Sequence, residues 1–169
     1  MTTAKRRIFW DSCVFIRLLS VTKAPAKLAE REICKFCLQD AIDLKTEIFV
    51  STTSFAEVVK TEDLISSPVP YDTREKIRLL FDEPYVIPIS ADLIVARAAR
   101  ELIWRHSWLK PIDAIVIASA TYSQVDELFS YDGLGEKKGI LDLNGQIGNP
   151  PLKIVKPHFE GQKPFLLNA

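Results

Sequence analysis

Four acidic residues, Asp11, Glu57, Asp113 and Asp132, occupy places in this chain where carboxylates commonly do chemistry. Asp11 closes the apolar run "RRIFWD", and Asp132 closes "ELFSYD". Glu57 falls early in "TSFAEVVK", and Asp113 opens the apolar stretch "KPIDAIVIASA". Each has an ordinary explanation. Asp11 and Asp113 suit a helix N-terminus, where a carboxylate meets free amides and the positive end of the dipole. Ser54 to Glu57 fits a capping box, and Asp132 before Gly133 is a common turn pair. Brought to one place, however, four carboxylates raise one another's pKa unless a cation neutralises them. An all-oxygen donor set suits a hard cation, Mg²⁺ or Mn²⁺. Mg²⁺ keeps several waters, which leaves room for a phosphate and a nucleophilic water. The chemistry implied is hydrolysis of a phosphodiester.

The elements that would position these acids follow from the hydrophobic pattern. Short apolar runs at 6–11, 47–51, 85–90 and 127–132 read as strands. Stretches 12–20, 25–45, 53–65, 72–83, 91–106 and about 110–123 read as helices, with Pro25 near the start of the second. "SSPVP" (66–70) is a break. "LKIVKP" (152–157) reads as a last strand at a sheet edge. Strands alternating with helices imply an α/β fold, with a mostly parallel sheet of four to five strands covered on both faces. Ligands bind such sheets beyond the carboxyl ends of the strands, near the switch in strand order. In this reading Asp11 and Asp132 end strands, while Glu57 and Asp113 begin the helices that follow. All four then share that edge.

The 169 residues suit one domain, and no linker or internal repeat divides them. The core spans about 6–135, and 136–169 is a C-terminal extension. Apolar residues make up 47%, enough for a substantial core, and Lys plus Arg balance Asp plus Glu at 22 each. Zero net charge argues for no bulk electrostatic partner, yet leaves room for a local basic patch. No apolar run reaches the ~18 residues of a membrane span. The N-terminal "MTTAKRRIFWD" is too short and too interrupted for a signal peptide. The expected compartment is the cytoplasm.

Other chemistries find little support. Cys34 and Cys37 form a C-x-x-C, but besides Cys13 the chain holds only His106 and His158 as further cysteine or imidazole partners for zinc. The helical spacing of Ile33, Phe36, Leu38 and Ile42 around them favours buried, inert thiols. There is no phosphate-binding glycine loop and no G-x-S-x-G elbow. His106 reads as a helix-end residue, and the two histidines make no catalytic pair.

The succession "FWDSCVFI", "SFAEVV", "PIDAIVIASA" and "LFSYDGL" resembles the PIN-domain nucleases, most closely the VapC-type toxins of toxin–antitoxin pairs. The resemblance runs from about Ile8 to Gly135. It implies a three-layer PIN-like α/β fold and a Mg²⁺- or Mn²⁺-dependent endoribonuclease. It also implies a homodimer, an RNA substrate and an antitoxin partner. Matched residue by residue, Asp11, Glu57, Asp113 and Asp132 are the family's acids. Ser12 is the small hydroxyl residue after the first acid, and Ser130 is the Ser or Thr two before the last. Asp11, Glu57 and Asp113 are then the main metal cage, which Asp132 completes or assists by holding a water. Cys13 stands where Asn is frequent, and Leu134–Gly135 replace a common Phe-containing ending. Arg17, Lys60 and Lys110, with Lys137 and Lys138, are the candidates to meet substrate backbone. Trp10, Trp104 and Trp108 suit packing better than base stacking. A non-catalytic RNA- or protein-binding module on the same fold is the alternative. A phosphoryl-transfer domain of the receiver or dehalogenase type fits less well, since "DSCVF" lacks a D-x-D and "YVIPIS" ends without an acid.

Overall fold

The computed structural model describes residues 4–64 and 68–159. Five strands form one sheet: β1 (Arg6–Trp10), β2 (Thr46–Ser51), β3 (Val86–Ile89), β4 (Glu127–Phe129) and β5 (Lys153–Val155). All neighbours pair in parallel, in the order β3-β2-β1-β4-β5. The expected edge strand is therefore present, extending the sheet beyond β4. The order reverses between β1 and β4, so their carboxyl ends frame the crevice where parallel sheets take their ligands.

Burial on both faces explains why the central strands are continuously apolar. Their side chains still alternate. Phe9, Phe49, Leu128 and Ile154 face a core shared with α5 (Leu93–Arg105) and α6 (Pro111–Tyr122). Ile8, Trp10, Ile48, Val50 and Phe129 face a core shared with α1 (Ser12–Leu19), α2 (Pro25–Ile42) and α4 (Tyr71–Phe81). Helices thus cover both faces, giving the three layers.

Helix α6 has small or apolar residues nearly all round, and Ala114 and Val116 through Ala120 are all buried. Such a helix belongs inside rather than at the surface, and α6 packs between the sheet and α5. Pro111 sits in its first turn, where a missing amide costs nothing. Cys34 and Cys37 are buried and free on α2. Burial pushes their thiols up, to about 11 and about 12. Among the described residues, no helix is long and apolar enough to cross a membrane.

Two elements are shorter than their sequence suggests, and both matter for the acids. The helix expected over 53–65 is only α3 (Thr52–Glu57). Val58 leaves helical geometry, turns into the core and is almost fully buried. The chain beyond is tied to α1 instead: Glu62 N–H donates to Ser20 Oγ (2.8 Å), and Val21 N–H to Asp63 Oδ1 (2.9 Å). Ile65, Ser66 and Ser67 lie outside the described residues. The strand expected over 127–132 stops at Phe129. Ser130 N–H still reaches Val155 O, but Tyr131 N–H turns to Cys13 Sγ (3.2 Å) and ends the ladder.

Candidate active site

Asp11 follows the last residue of β1 and is 5% exposed. Its backbone N–H donates to Phe129 O on β4, which fixes it at the reversal of strand order. Its carboxylate accepts from four donors. Oδ1 takes Ser12 N–H (2.8 Å) and, more loosely, Ser12 Oγ (3.4 Å). Oδ2 takes Ser130 Oγ (2.9 Å) and Cys13 Sγ (3.0 Å). Asp11 is therefore both helix cap and site residue. Burial raises its pKa despite these bonds, and the charge of Asp132 adds to the rise.

Glu57 ends α3 and does not close a capping box. The cap of α3 is Ser51, whose hydroxyl accepts Thr53 N–H, and the Ser54 hydroxyl is buried with no hydrogen-bond partner among the described residues. Glu57 Oε2 is likewise buried without a partner among the described residues. Its pKa is raised by burial and by Asp11, with the Ser12 hydroxyl and Lys110 partly offsetting both. Ser12 thus lies between the two acids.

Asp113 is in the first turn of α6, and no side chain caps that helix at Lys110. Its carboxyl is pushed up to about 6, by burial first and then by the charges of Asp11 and Asp132. Glu57 adds to the rise, and Lys110 opposes it. Asp132 is not a strand end, as expected, but lies in the loop after β4, because Ser130 and Tyr131 turn toward α1. Its backbone N–H donates to Ser130 Oγ (3.0 Å), whose hydroxyl donates in turn to Asp11. One serine joins the first and fourth acids.

The structure therefore brings Asp11, Glu57, Asp113 and Asp132 from four separate elements to the carboxyl end of the sheet, with Ser12 and Ser130 among them. Lys110 is exposed at the rim, close enough to influence both Glu57 and Asp113. Lys60 is exposed on the loop after α3. Arg17 is committed elsewhere: its guanidinium contacts Glu30 and Glu62 at 3.0 Å and lies over the Tyr131 ring. Lys138 lies over the Trp108 ring. Trp10 is fully buried, whereas Trp104 is exposed and carries Arg100 on its face.

The donor set matches a hard divalent cation. It is all oxygen, three of its carboxyls are raised partly by one another, and one buried carboxylate oxygen has no partner. Among the described residues, no three acidic, histidine or cysteine side chains already stand in an arrangement that could hold a metal ion. The carboxylates share an electrostatic environment without a closed cage.

Cys13 is the residue whose part the sequence concealed. Its thiol donates to Asp11 and accepts Tyr131 N–H, linking α1 to the loop that carries Asp132. Burial, then the charge of Asp11, pushes this thiol well above its ordinary value, so it stays protonated. Its position two residues after Asp11 was the only available signal.

The chain is an α/β protein with a parallel sheet and four carboxylates near the switch in strand order, where such sheets take their ligands. A PIN domain model matches residues 8–134, and the chain belongs to the PIN domain family. A toxin–antitoxin complex from Klebsiella pneumoniae is similar in fold, with a TM-score of 0.58 at 18% identity, over 89% of this chain and 98% of that one. So is VapC20 of Mycobacterium tuberculosis, a sarcin–ricin loop cleaving toxin, with a TM-score of 0.57 at 15% identity, over 75% of this chain and 91% of that one. No curated protein sequence matches the chain.

Proposed function

We propose that this protein is a Mg²⁺- or Mn²⁺-dependent endoribonuclease and the toxin of a toxin–antitoxin pair. One observation carries the reading. Four carboxylates meet at the ligand-binding edge of the sheet, and among the described residues none is ion-paired. Asp11, Glu57 and Asp113 would hold the cation, with Asp132 completing the set. Bound there, the cation would polarise the scissile phosphate and lower the pKa of a water. Ser130 and Cys13 hold Asp11 in one orientation. Ser12 is placed to donate to Glu57 or to a phosphate oxygen. Lys110, and more distantly Lys60, would meet the RNA backbone as point charges. Arg17 serves better as a strut between α1, α2 and the 58–64 loop.

The similarity to a toxin–antitoxin complex supports an antitoxin partner. An apolar groove lined by Phe55, Val59, Val69, Ile77 and Phe81 suits such a partner. Leu93 and Trp104, exposed on one stripe of α5, suit a homodimer.

The test is cleavage of single-stranded RNA with Mn²⁺ or Mg²⁺ and its loss in EDTA. Asp113→Asn should abolish cleavage while the far-UV spectrum stays unchanged; full activity in that variant would sink the assignment. A second reading is a non-catalytic PIN module, since among the described residues no metal cage is preformed. Tight RNA binding in EDTA, with no cleavage in either metal, would establish it.

A further inference from the structure

Asp132 lies in a loop, and a loop alone is a poor support for a ligand. The C-terminal segment that follows it supplies the missing rigidity. Asp142 Oδ2 accepts two backbone N–H groups, from Gly139 (2.8 Å) and Leu134 (3.0 Å), and so closes the 134–139 loop at its neck. Leu141 N–H donates to Asp132 O (2.9 Å), so the acid's own backbone is held at its carbonyl by Leu141 and at its N–H by Ser130. The short 3₁₀ turn Ile140–Leu143 anchors this arrangement, with Ile140, Leu141 and Leu143 buried in the α5–α6 core.

Two glycines make the closure possible. A Cβ on Gly139 would stand 2.5 Å from Asp132 Oδ2 and 2.5 Å from Gly133 N. Gly133 has φ +110°, and a Cβ there would stand 2.6 Å from Asp142 Oδ2. The Asp132 carboxylate therefore rests against bare backbone, where any side chain would displace it.

We infer that residues 133–143 form a clasp that positions Asp132 for cation binding, with Asp142 and Gly139 as its positioning residues. The inference rests on the metal-dependent reading above. It gives the start of the C-terminal extension a role, and it explains how a site can place an acid beyond the end of its strand. Such outer support of a ligand typically governs metal affinity by roughly 10–100-fold.

Mn²⁺ titration calorimetry on the full-length protein provides the test, alongside RNA cleavage. Asp142→Ala should weaken Mn²⁺ binding about tenfold or more and raise the Mn²⁺ concentration needed for half-maximal cleavage. The KM for RNA should stay unchanged. Asp142→Asn keeps an oxygen acceptor and should restore most of the affinity. Gly139→Ala keeps the Asp142 carboxylate but sets a methyl group against the Asp132 carboxylate and the Gly133 backbone, and should weaken Mn²⁺ binding on its own. Glu127→Gln, at the far end of the sheet, controls for general destabilisation and should bind Mn²⁺ as the parent does. Equal Mn²⁺ affinity in the parent, Asp142→Ala and Gly139→Ala would overturn the clasp while leaving the metal reading intact. A parent protein that neither binds Mn²⁺ nor cleaves RNA would overturn the metal reading, and the clasp with it.

Discussion

The two ends of the sheet treat acidic side chains in opposite ways. At the amino ends of the strands, Glu127 is 4% exposed and is surrounded by cations. Arg6 and Lys153 both pair with it, and His158 Nε2 lies 3.4 Å away. At the carboxyl ends, Asp11, Glu57, Asp113 and Asp132 gather, and among the described residues only the exposed Lys110 offsets them. Burying a charge costs several kcal/mol unless it is paired. Glu127 is compensated within the chain. Asp11 and Glu57 are compensated in part by hydrogen bonds, and Asp11, Glu57 and Asp113 all hold their protons more tightly than usual. Asp142, close to Asp132 in the chain, behaves differently: two backbone N–H donors, from Gly139 and Leu134, and then the charge of Lys138 hold its carboxyl below the usual range. One buried acid is fully paired and four others are short of positive charge, which is the imbalance that the proposed cation would correct.

That contrast breaks most sharply under Asp113→Asn. RNA cleavage should fall by about three orders of magnitude or more, as when a catalytic group is removed. Ser130→Ala should act more mildly, roughly 10–100-fold, because Asp11 keeps its bonds to Ser12 and Cys13 but loses its link to Asp132. Single-turnover rates at saturating Mn²⁺ measure both. Glu127→Gln should do the reverse, leaving cleavage untouched while destabilising the fold by about 2 kcal/mol. This lies below the ~3–5 kcal/mol of a fully enclosed pair, because Lys153 can return to water. Urea melts measure it. A cleavage defect in that variant would erase the distinction between the two ends.

Stability should also respond to pH in the direction set by the carboxyl end. The Asp113 carboxyl titrates at about 6 in the folded protein, against 3.8 for a free aspartate. Asp11 and Glu57 are raised in the same sense. Between those values the folded state holds protons that the unfolded chain has released. The stability they contribute is fully present below about pH 4 and is lost as pH rises through 6. Metal-free protein should therefore lose some of this margin between pH 5 and pH 7. Mn²⁺ should restore more stability at pH 7.5 than at pH 5, since ligands must release their protons to bind. In Asp113→Asn the metal-free slope should flatten. Thermal melts across that range provide the check, and an unchanged slope would count against the shared-charge picture.

How much of this was legible in the sequence differs between elements for physical reasons. The strands around Ile8, Phe49 and Leu128 are buried on both faces, so their apolar runs announce them. Helix α6 is buried nearly all round and is as plain. The bounds of α3 and β4 were not legible, because each is ended by tertiary contacts. Val58 enters the core and leaves the helix, and Tyr131 N–H finds Cys13 Sγ instead of a strand partner. The four acids could be named because each sits beside a strand or helix end. Their supports could not. Cys13, Asp142 and Gly139 act through pairings formed only after the chain has folded, and Arg17 reads as a free cation until Glu30 and Glu62 are seen to hold it.

The smallest expected effect concerns Lys110, the positive charge at the acidic end. Lys110 lowers the pKa of both Asp113 and Glu57, and its exposure leaves it free to meet a phosphate. Lys110→Ala should therefore do two things that a generic surface lysine would not do together. It should weaken RNA binding several-fold and reduce the salt slope of binding by about 1. It should also move the acid limb of the cleavage profile to higher pH, because Asp113 loses its main offsetting charge. Lys60→Ala should share only the first effect. If both variants shift binding alone, Lys110 is a substrate contact and no more. If Lys110→Ala moves the acid limb as well, the carboxyl end is built with a small cationic offset that keeps its acids ready to exchange protons for metal near neutral pH.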